Sequence, residues 1–153
     1  MRSIELLARG VLIHNGCVLL AHRKGATNTF LPGGHILFGE SAEAALVREI
    51  REEIGRPVRV QQFLGAIEHG YGTEADPQCE LNLVFAVECA SLSSTRAPES
   101  QEEHLEFLWQ PLNDLARVNL QPYPLWDLLP QWLEEGAKVG WGSTLKKAAS
   151  PTS

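Results

Sequence analysis

Gly34-His35-Ile36-Leu37-Phe38-Gly39-Glu40, followed by Arg48-Glu49-Ile50-Arg51-Glu52-Glu53-Ile54-Gly55, is the stretch on which this chain turns. Ser41 has the chemistry of a helix N-cap, Ala42 to Ile54 reads as the helix, and Gly55 as its stop, with Pro57 barring continuation. On that helix Leu46, Val47, Ile50 and Ile54 share one apolar stripe, which would pin it to a core. The acids lie on the adjacent stripe, with Glu53 nearest the apolar border. Glu49 and Glu53 are four residues apart and Glu49 and Glu52 three, the two spacings that make helical neighbours. Clustered carboxylates repel one another unless a cation sits among them, and hard divalent ions such as Mg²⁺ take oxygen ligands of this kind. The expectation is three carboxylates converging into a groove, at a metal-dependent site that acts on phosphate.

Around this helix the chain alternates strands and breaks. Ile4 to Ile13 and Cys17 to Ala21 are apolar runs joined through Asn15-Gly16, a two-residue hairpin signal because both turn positions need positive φ. Thr29-Phe30-Leu31 is a short extended piece leading into Pro32-Gly33-Gly34, which lets the backbone approach something closely. Val58 to Glu68, Glu80 to Cys89 and His104 to Trp109 read as strands, with His69 to Gln78 and Ser91 to Gln101 as loops. Pro111 to Leu115 reads as a helical turn and Pro122 to Glu135 as a final helix across Pro130. Strands with one central and one late helix imply an α/β fold, a mixed sheet covered on both faces. The expected organisation is one domain over residues 1–136 and a loose polar tail over 137–153.

Composition excludes several classes. The 153 residues suffice for a core without staples, and 44% apolar with 21% charged residues fits a soluble globular protein. A formal charge of −6 argues against a nucleic-acid partner, whose phosphates call for clustered Lys and Arg. A small phosphate substrate remains open, because a bound cation reverses the local sign. Cys17, Cys79 and Cys89 are widely spaced without CxxC and read as small buried apolar residues in a reducing compartment. Glu5 interrupts any signal-peptide run and no segment is long enough to span a bilayer, so a cytoplasmic protein without a membrane partner is expected.

The quoted stretch resembles the Nudix box: Gly34, five residues, Glu40, seven residues, then Arg48-Glu49-Ile50-Arg51-Glu52-Glu53-Ile54-Gly55. Phe30-Leu31-Pro32-Gly33-Gly34 before it and Phe107-Leu108-Trp109-Gln110-Pro111-Leu112 after it are similar to family habits. The last box position is usually a bulky aliphatic and here is Arg56, a packing position whose change should leave activity intact. The resemblance, to MutT-like Nudix hydrolases, implies an α/β/α sandwich around a mixed β-sheet. It implies a hydrolase of nucleoside diphosphates linked to another moiety, with water attacking phosphorus aided by Mg²⁺ or Mn²⁺. By position Glu49, Glu52 and Glu53 would hold the metal, with a carbonyl of Gly33 or Gly34 adding a ligand. Arg48 would brace the acids and pair with Glu40, which orients more than it reacts. Homodimers are frequent among such relatives and form part of the expectation.

The general base is a box glutamate or a loop acid, with Glu99, Glu102, Glu103 and Glu106 all before Trp109, and Glu103 is chosen by its place at a strand mouth. Arg23, Tyr71 and Phe30 are candidate substrate-binding residues: Arg23 toward phosphate, Phe30 as core or stacking platform, Tyr71 in the loop after the box. His104 beside a strand is read as packed. The substrate is a nucleotide sugar such as ADP-ribose, a nucleoside triphosphate or a dinucleoside polyphosphate. The alternative is a sensor that keeps the fold and binds nucleotide without turnover; the complete set of box acids argues for the enzyme.

Overall fold

A computed structural model describes residues 1–93 and 95–146. Nine strands and two α-helices follow in order: β1 Glu5–Val11, β2 Ile13–His14, β3 Cys17–Arg23, β4 Thr29–Phe30, β5 Gly33–His35, α1 Ala42–Ile54, β6 Arg59–Gly72, β7 Pro77–Glu88, β8 Leu105–Pro111, α2 Leu125–Trp132 and β9 Gly140–Ser143. One sheet has the order β5-β1-β7-β6-β9 and is mixed, with β1/β7 and β6/β9 parallel and β1/β5 and β6/β7 antiparallel. In a second sheet β3 lies between β4 and β8 and also pairs with β2. This is the α/β fold that the sequence led us to expect, a mixed sheet flanked by helices.

Strand β3 shows why its apolar run is unbroken. Val18 and Leu20 enter one core with Leu125, Leu129 and Trp132 of α2. Leu19 and Ala21 enter another with Leu46, Ile50 and Ile54 of α1. Side chains alternate across a strand, so a strand buried on both faces must be apolar throughout.

Several boundaries differ from the sequence reading. The first strand breaks after Val11, and only Ile13–His14 pairs with β3 across Asn15 and Gly16, whose φ values of 49° and 74° confirm the turn. Strand β6 runs on to Gly72, so the expected loop after Glu68 shrinks to four residues between Gly72 and Pro77. Main-chain pairing with β7 carries it through residues that have no strand-like side-chain pattern. A 3₁₀ turn at Ala116–Val118 replaces the one expected at Pro111 to Leu115. The final helix is shorter at both ends than expected. The three cysteines are free, as expected, but part-buried.

The expected loose tail is corrected more substantially. Gly140–Ser143 is β9, parallel to β6 with Gly65 opposite Gly140 and Glu68 opposite Ser143. Its partner lies some 75 residues upstream, so no local pattern announces it. The rest of that predicted tail, residues 147–153, lies outside the described residues.

Candidate active site

Helix α1 is set by local chemistry at both ends. Ser41 Oγ accepts from Ala44 N–H at 3.1 Å, and Gly55, with φ 68°, donates to Arg51 O at 2.8 Å. Its buried residues are Ala45, Leu46, Ile50, Ile54 and Glu53, whereas Val47 is only half-buried. Seating the apolar stripe in the core thus carries Glu53 inside with it, 3% exposed.

Glu53 Oε1 accepts from Gly33 N–H at 3.1 Å, and Oε2 is buried with no hydrogen-bond partner among the described residues. Burial pushes this carboxyl up to about 8. The Gly33 N–H and the charge of Arg9 work against that rise, while Glu49 and Glu102 add to it. Gly33 has φ 136°, and a Cβ there would lie 2.0 Å from Ala8 O, so only glycine brings this N–H to the helix. At Gly34 a Cβ would lie 2.5 Å from the Glu49 carboxylate, which rests on the space left by the missing side chain.

Arg48 is the hub on the outer side. Its Nε and Nη2 donate to the two oxygens of Glu40 at 2.8 and 2.9 Å, a bidentate pair, and Nη2 also donates to His35 O at 3.0 Å. Nη1 donates to Glu49 Oε1 at 2.9 Å and reaches Glu52 Oε1 at 3.4 Å. Arg48, and then the Leu37 N–H, hold the Glu40 carboxyl down to about 2, and the same pairing raises the guanidinium.

The three carboxylates do not converge as expected. Glu49 and Glu53 line a cleft of about 790 Å³, whereas Glu52 lines a separate groove with Ser41, Arg51 and Val58, its side chain 52% exposed. Successive helical residues turn by about 100°, so adjacent Glu52 and Glu53 leave the helix in different directions. Among the described residues no group of three His, Cys, Asp or Glu side chains is gathered as a ready ligand set. What does fit a hard cation is the oxygen chemistry: the unpartnered Glu53 Oε2 and the Glu49 carboxylate cradled on Gly34.

The other sequence candidates divide. Arg23, Phe30, Tyr71, Gly33 and Gly34 line the same cleft. Glu103 does not: it is exposed, and its neighbours Glu102 and His104, 3.2 Å apart, line the cleft instead. The loop is tied to α1 by Gln101 N–H donating to Glu53 O at 2.7 Å, which fixes which side chains turn inward. Glu40 and Arg48 lie outside the cleft, and Arg48 links Glu40 to Glu49. Arg56, at the odd box position, donates to Ser91 O and so ties the helix end to a loop.

Sequence reasoning missed Arg9. Its Nε donates to Asn82 Oδ1 at 3.2 Å, its Nη1 to Leu31 O at 3.1 Å, and its guanidinium lies 5.5 Å from the centre of the Phe30 ring. Burial lowers its pKa, opposed by Glu80, Glu53, Glu49 and Glu5. Asn82, 1% exposed, is itself anchored to Glu80 Oε1 at 3.1 Å. A lone cation in the apolar run of β1 was the available signal.

A NUDIX domain model matches residues 5–133, which contain every side chain described above. The chain belongs to the Nudix family. It is a hydrolase acting on phosphoric anhydride bonds. An RNA pyrophosphohydrolase of Acinetobacter baylyi is 34% identical over 139 residues, 76% of this chain and 84% of that protein. An ADP-ribose pyrophosphatase of Methanocaldococcus jannaschii is 34% identical over 85 residues, 52% of this chain and 47% of that protein. Among solved structures, a MutT protein of Bacillus halodurans shares the Nudix fold with TM-score 0.67 and 19% identity, covering 92% of this chain and 88% of that one. No helix among the described residues of this Nudix hydrolase is long and apolar enough to cross a membrane.

Proposed function

We propose that this Nudix hydrolase is a Mg²⁺-dependent pyrophosphohydrolase of a small nucleotide, cleaving a nucleoside diphosphate linked to another moiety by attack of water on phosphorus. The observation that carries this reading is Glu53 Oε2, buried and unpartnered at the cleft beside Glu49. An unpaired carboxylate oxygen is costly to bury, and a cation ligated there offsets that cost. Glu49 and Glu53, joined by Glu52 after side-chain rotation and by a carbonyl of Gly33 or Gly34, are the groups that would hold Mg²⁺ or Mn²⁺. When bound, such an ion neutralises phosphate charge and lowers the pKa of water.

The chain's own residues supply the rest. Arg48, locked by Glu40 and His35 O, fixes the Glu49 carboxylate. Arg9 and Arg23 line the cleft and can donate to phosphate oxygens. Glu49, or Glu102 from the loop, would take the proton from water, a reading supported by their presence in the cleft lining, which Glu103 does not share.

The names of the relatives point to RNA or to ADP-ribose, and the charge of −6 favours a small nucleotide over a polynucleotide. Product analysis with Mg²⁺ on ADP-ribose, GTP, diadenosine tetraphosphate and a 5′-triphosphate oligonucleotide tests this. Turnover of one of the first three, lost in Glu53→Gln and Glu52→Gln, is the expected result. Wild-type rates in both variants would defeat the assignment.

A further inference from the structure

Strand β9 lies beyond the residues matched by the family model, yet it is docked through a purpose-shaped seam. A Cβ on Gly140 would lie 1.9 Å from Trp132 Nε1, and one on Gly70 would lie 2.6 Å from Leu145 Cδ2. Glycine at both positions lets Trp132 and Leu145 close over the strand pair. The docking also brings a hydroxyl against His69, which lines the cleft. Ser143 Oγ donates to Glu68 Oε1 at 2.8 Å, and Thr144 N–H donates to Glu68 O at 3.1 Å.

Thr144 Oγ1 accepts from Gly70 N–H at 3.0 Å and lies 3.0 Å from His69 Nδ1. With one lone pair taken by Gly70 N–H, the hydroxyl can give its proton to His69 Nδ1, an arrangement that would put the imidazole proton on Nε2. Burial favours this neutral ring over the raising influence of Glu80. His69 stacks on Tyr71, with ring centres 5.6 Å apart and planes 18° from parallel, and both line the cleft. The Tyr71 hydroxyl donates to Glu5 Oε2 at 3.3 Å. Glu5 and Glu80 both act on this pair, with Arg9 acting on Tyr71 in the opposite sense. The stacked His69–Tyr71 face therefore suits a planar, hydrogen-bonding group.

We propose that β9 and Thr144 form a specificity element that presents His69 Nε2–H and the His69–Tyr71 face to the uncharged nucleoside end of the substrate. This deepens the hydrolase reading above and rests on it. Thr144 does not touch substrate; it is a positioning residue that acts through His69.

Thr144→Val keeps the branched shape and removes the hydroxyl. The probes are whichever of ADP-ribose, GTP and diadenosine tetraphosphate the wild type cleaves fastest, and inorganic tripolyphosphate, which has no nucleoside. The variant should raise KM for the nucleotide about tenfold with kcat within about twofold, and should leave tripolyphosphate kinetics unchanged. Long-range ¹⁵N–¹H spectra should show His69 protonated on Nε2 in the wild type and mixed tautomers in Thr144→Val, with Thr144→Ser restoring both readouts. An unchanged nucleotide KM, an equal rise for tripolyphosphate, or Nδ1–H in the wild type would overturn the proposal. Failure of the hydrolase reading looks different: the wild type itself cleaves none of the three nucleotides, and the His69 spectra then decide the positioning role alone.

Discussion

Gly33 N–H donates to Glu53 Oε1 at 3.1 Å, tying the glycine turn to a helix residue twenty positions later. The bond serves one oxygen of a carboxyl whose other oxygen has no partner among the described residues. Burial therefore raises the folded value to about 8, above the ordinary 4.5 of a glutamate. A raised carboxyl stabilises the fold below about 4.5, and that stability is lost as pH climbs through about 8. The loss is on the order of 5 kcal/mol. In EDTA, the Tm difference between wild type and Glu53→Gln should shift in favour of the variant from pH 5 to pH 8.5. Adding Mg²⁺ should rescue the wild type most at the alkaline end. A difference that stays constant with pH would show that Glu53 ionises freely.

Gly34 and Glu49 make a second, separable prediction. A Cβ at Gly34 would lie 2.5 Å from the Glu49 carboxylate, the far end of a flexible side chain. Gly34→Ala should therefore leave Tm within about 3 °C of wild type while cutting kcat by about tenfold or more. Gly33→Ala meets backbone at Ala8 O and should instead unfold or severely destabilise the protein. Thermal melts run beside single-turnover kinetics separate the two, and equal Tm losses would contradict this account.

Arg48 holds Glu40 through two bonds while also reaching Glu49. A lysine keeps the charge but cannot make the fork. Arg48→Lys should lower kcat by about tenfold, with Glu40→Gln giving a smaller loss of the same kind. Neither should alter KM for nucleotide much, since neither residue lines the cleft. A rise in KM at constant kcat would mean that Arg48 meets substrate directly.

His22 clamps the loop that enters the cleft mouth. Its Nε2 faces Ala26 O and its Nδ1 faces Glu106 Oε1, both at 2.7 Å. A carbonyl and a carboxylate both accept, so the doubly protonated ring satisfies both, and the Ala26 carbonyl, then Glu106, raise its pKa above 6.5. A raised histidine stabilises below 6.5, and that contribution disappears as pH rises through the folded value. NMR titration of His22 should give a midpoint above 6.5, and amide exchange over residues 24–28 should quicken above it. His22→Gln should remove that pH dependence. A midpoint at or below 6.5 would defeat the clamp.

The site was legible where its chemistry is local. Ser41 and Gly55 bracket α1 because capping bonds reach only three or four residues, and the sequence places them to the residue. Asn15-Gly16 was legible for the same reason, since positive φ is a property of the turn itself. For Glu52 spacing names helical neighbours but not which side the core takes, and burial of Ile50 and Ile54 turned Glu53 inward and left Glu52 half exposed. Glu103 failed similarly, because a loop anchored by Gln101 to Glu53 O, and not the position in sequence, chose Glu102 and His104.

The amino-acid order by itself determined the capped acidic helix, the glycine turn before it, the alternation of strands and the family, because each is written in residues near one another along the chain. Only the folded arrangement decided the pairing of β9 with β6, the entry of Arg9 and Asn82 into the cleft, and the single unpartnered oxygen of Glu53. Those depend on backbone bonds and desolvation between segments far apart in the chain, which no local pattern encodes.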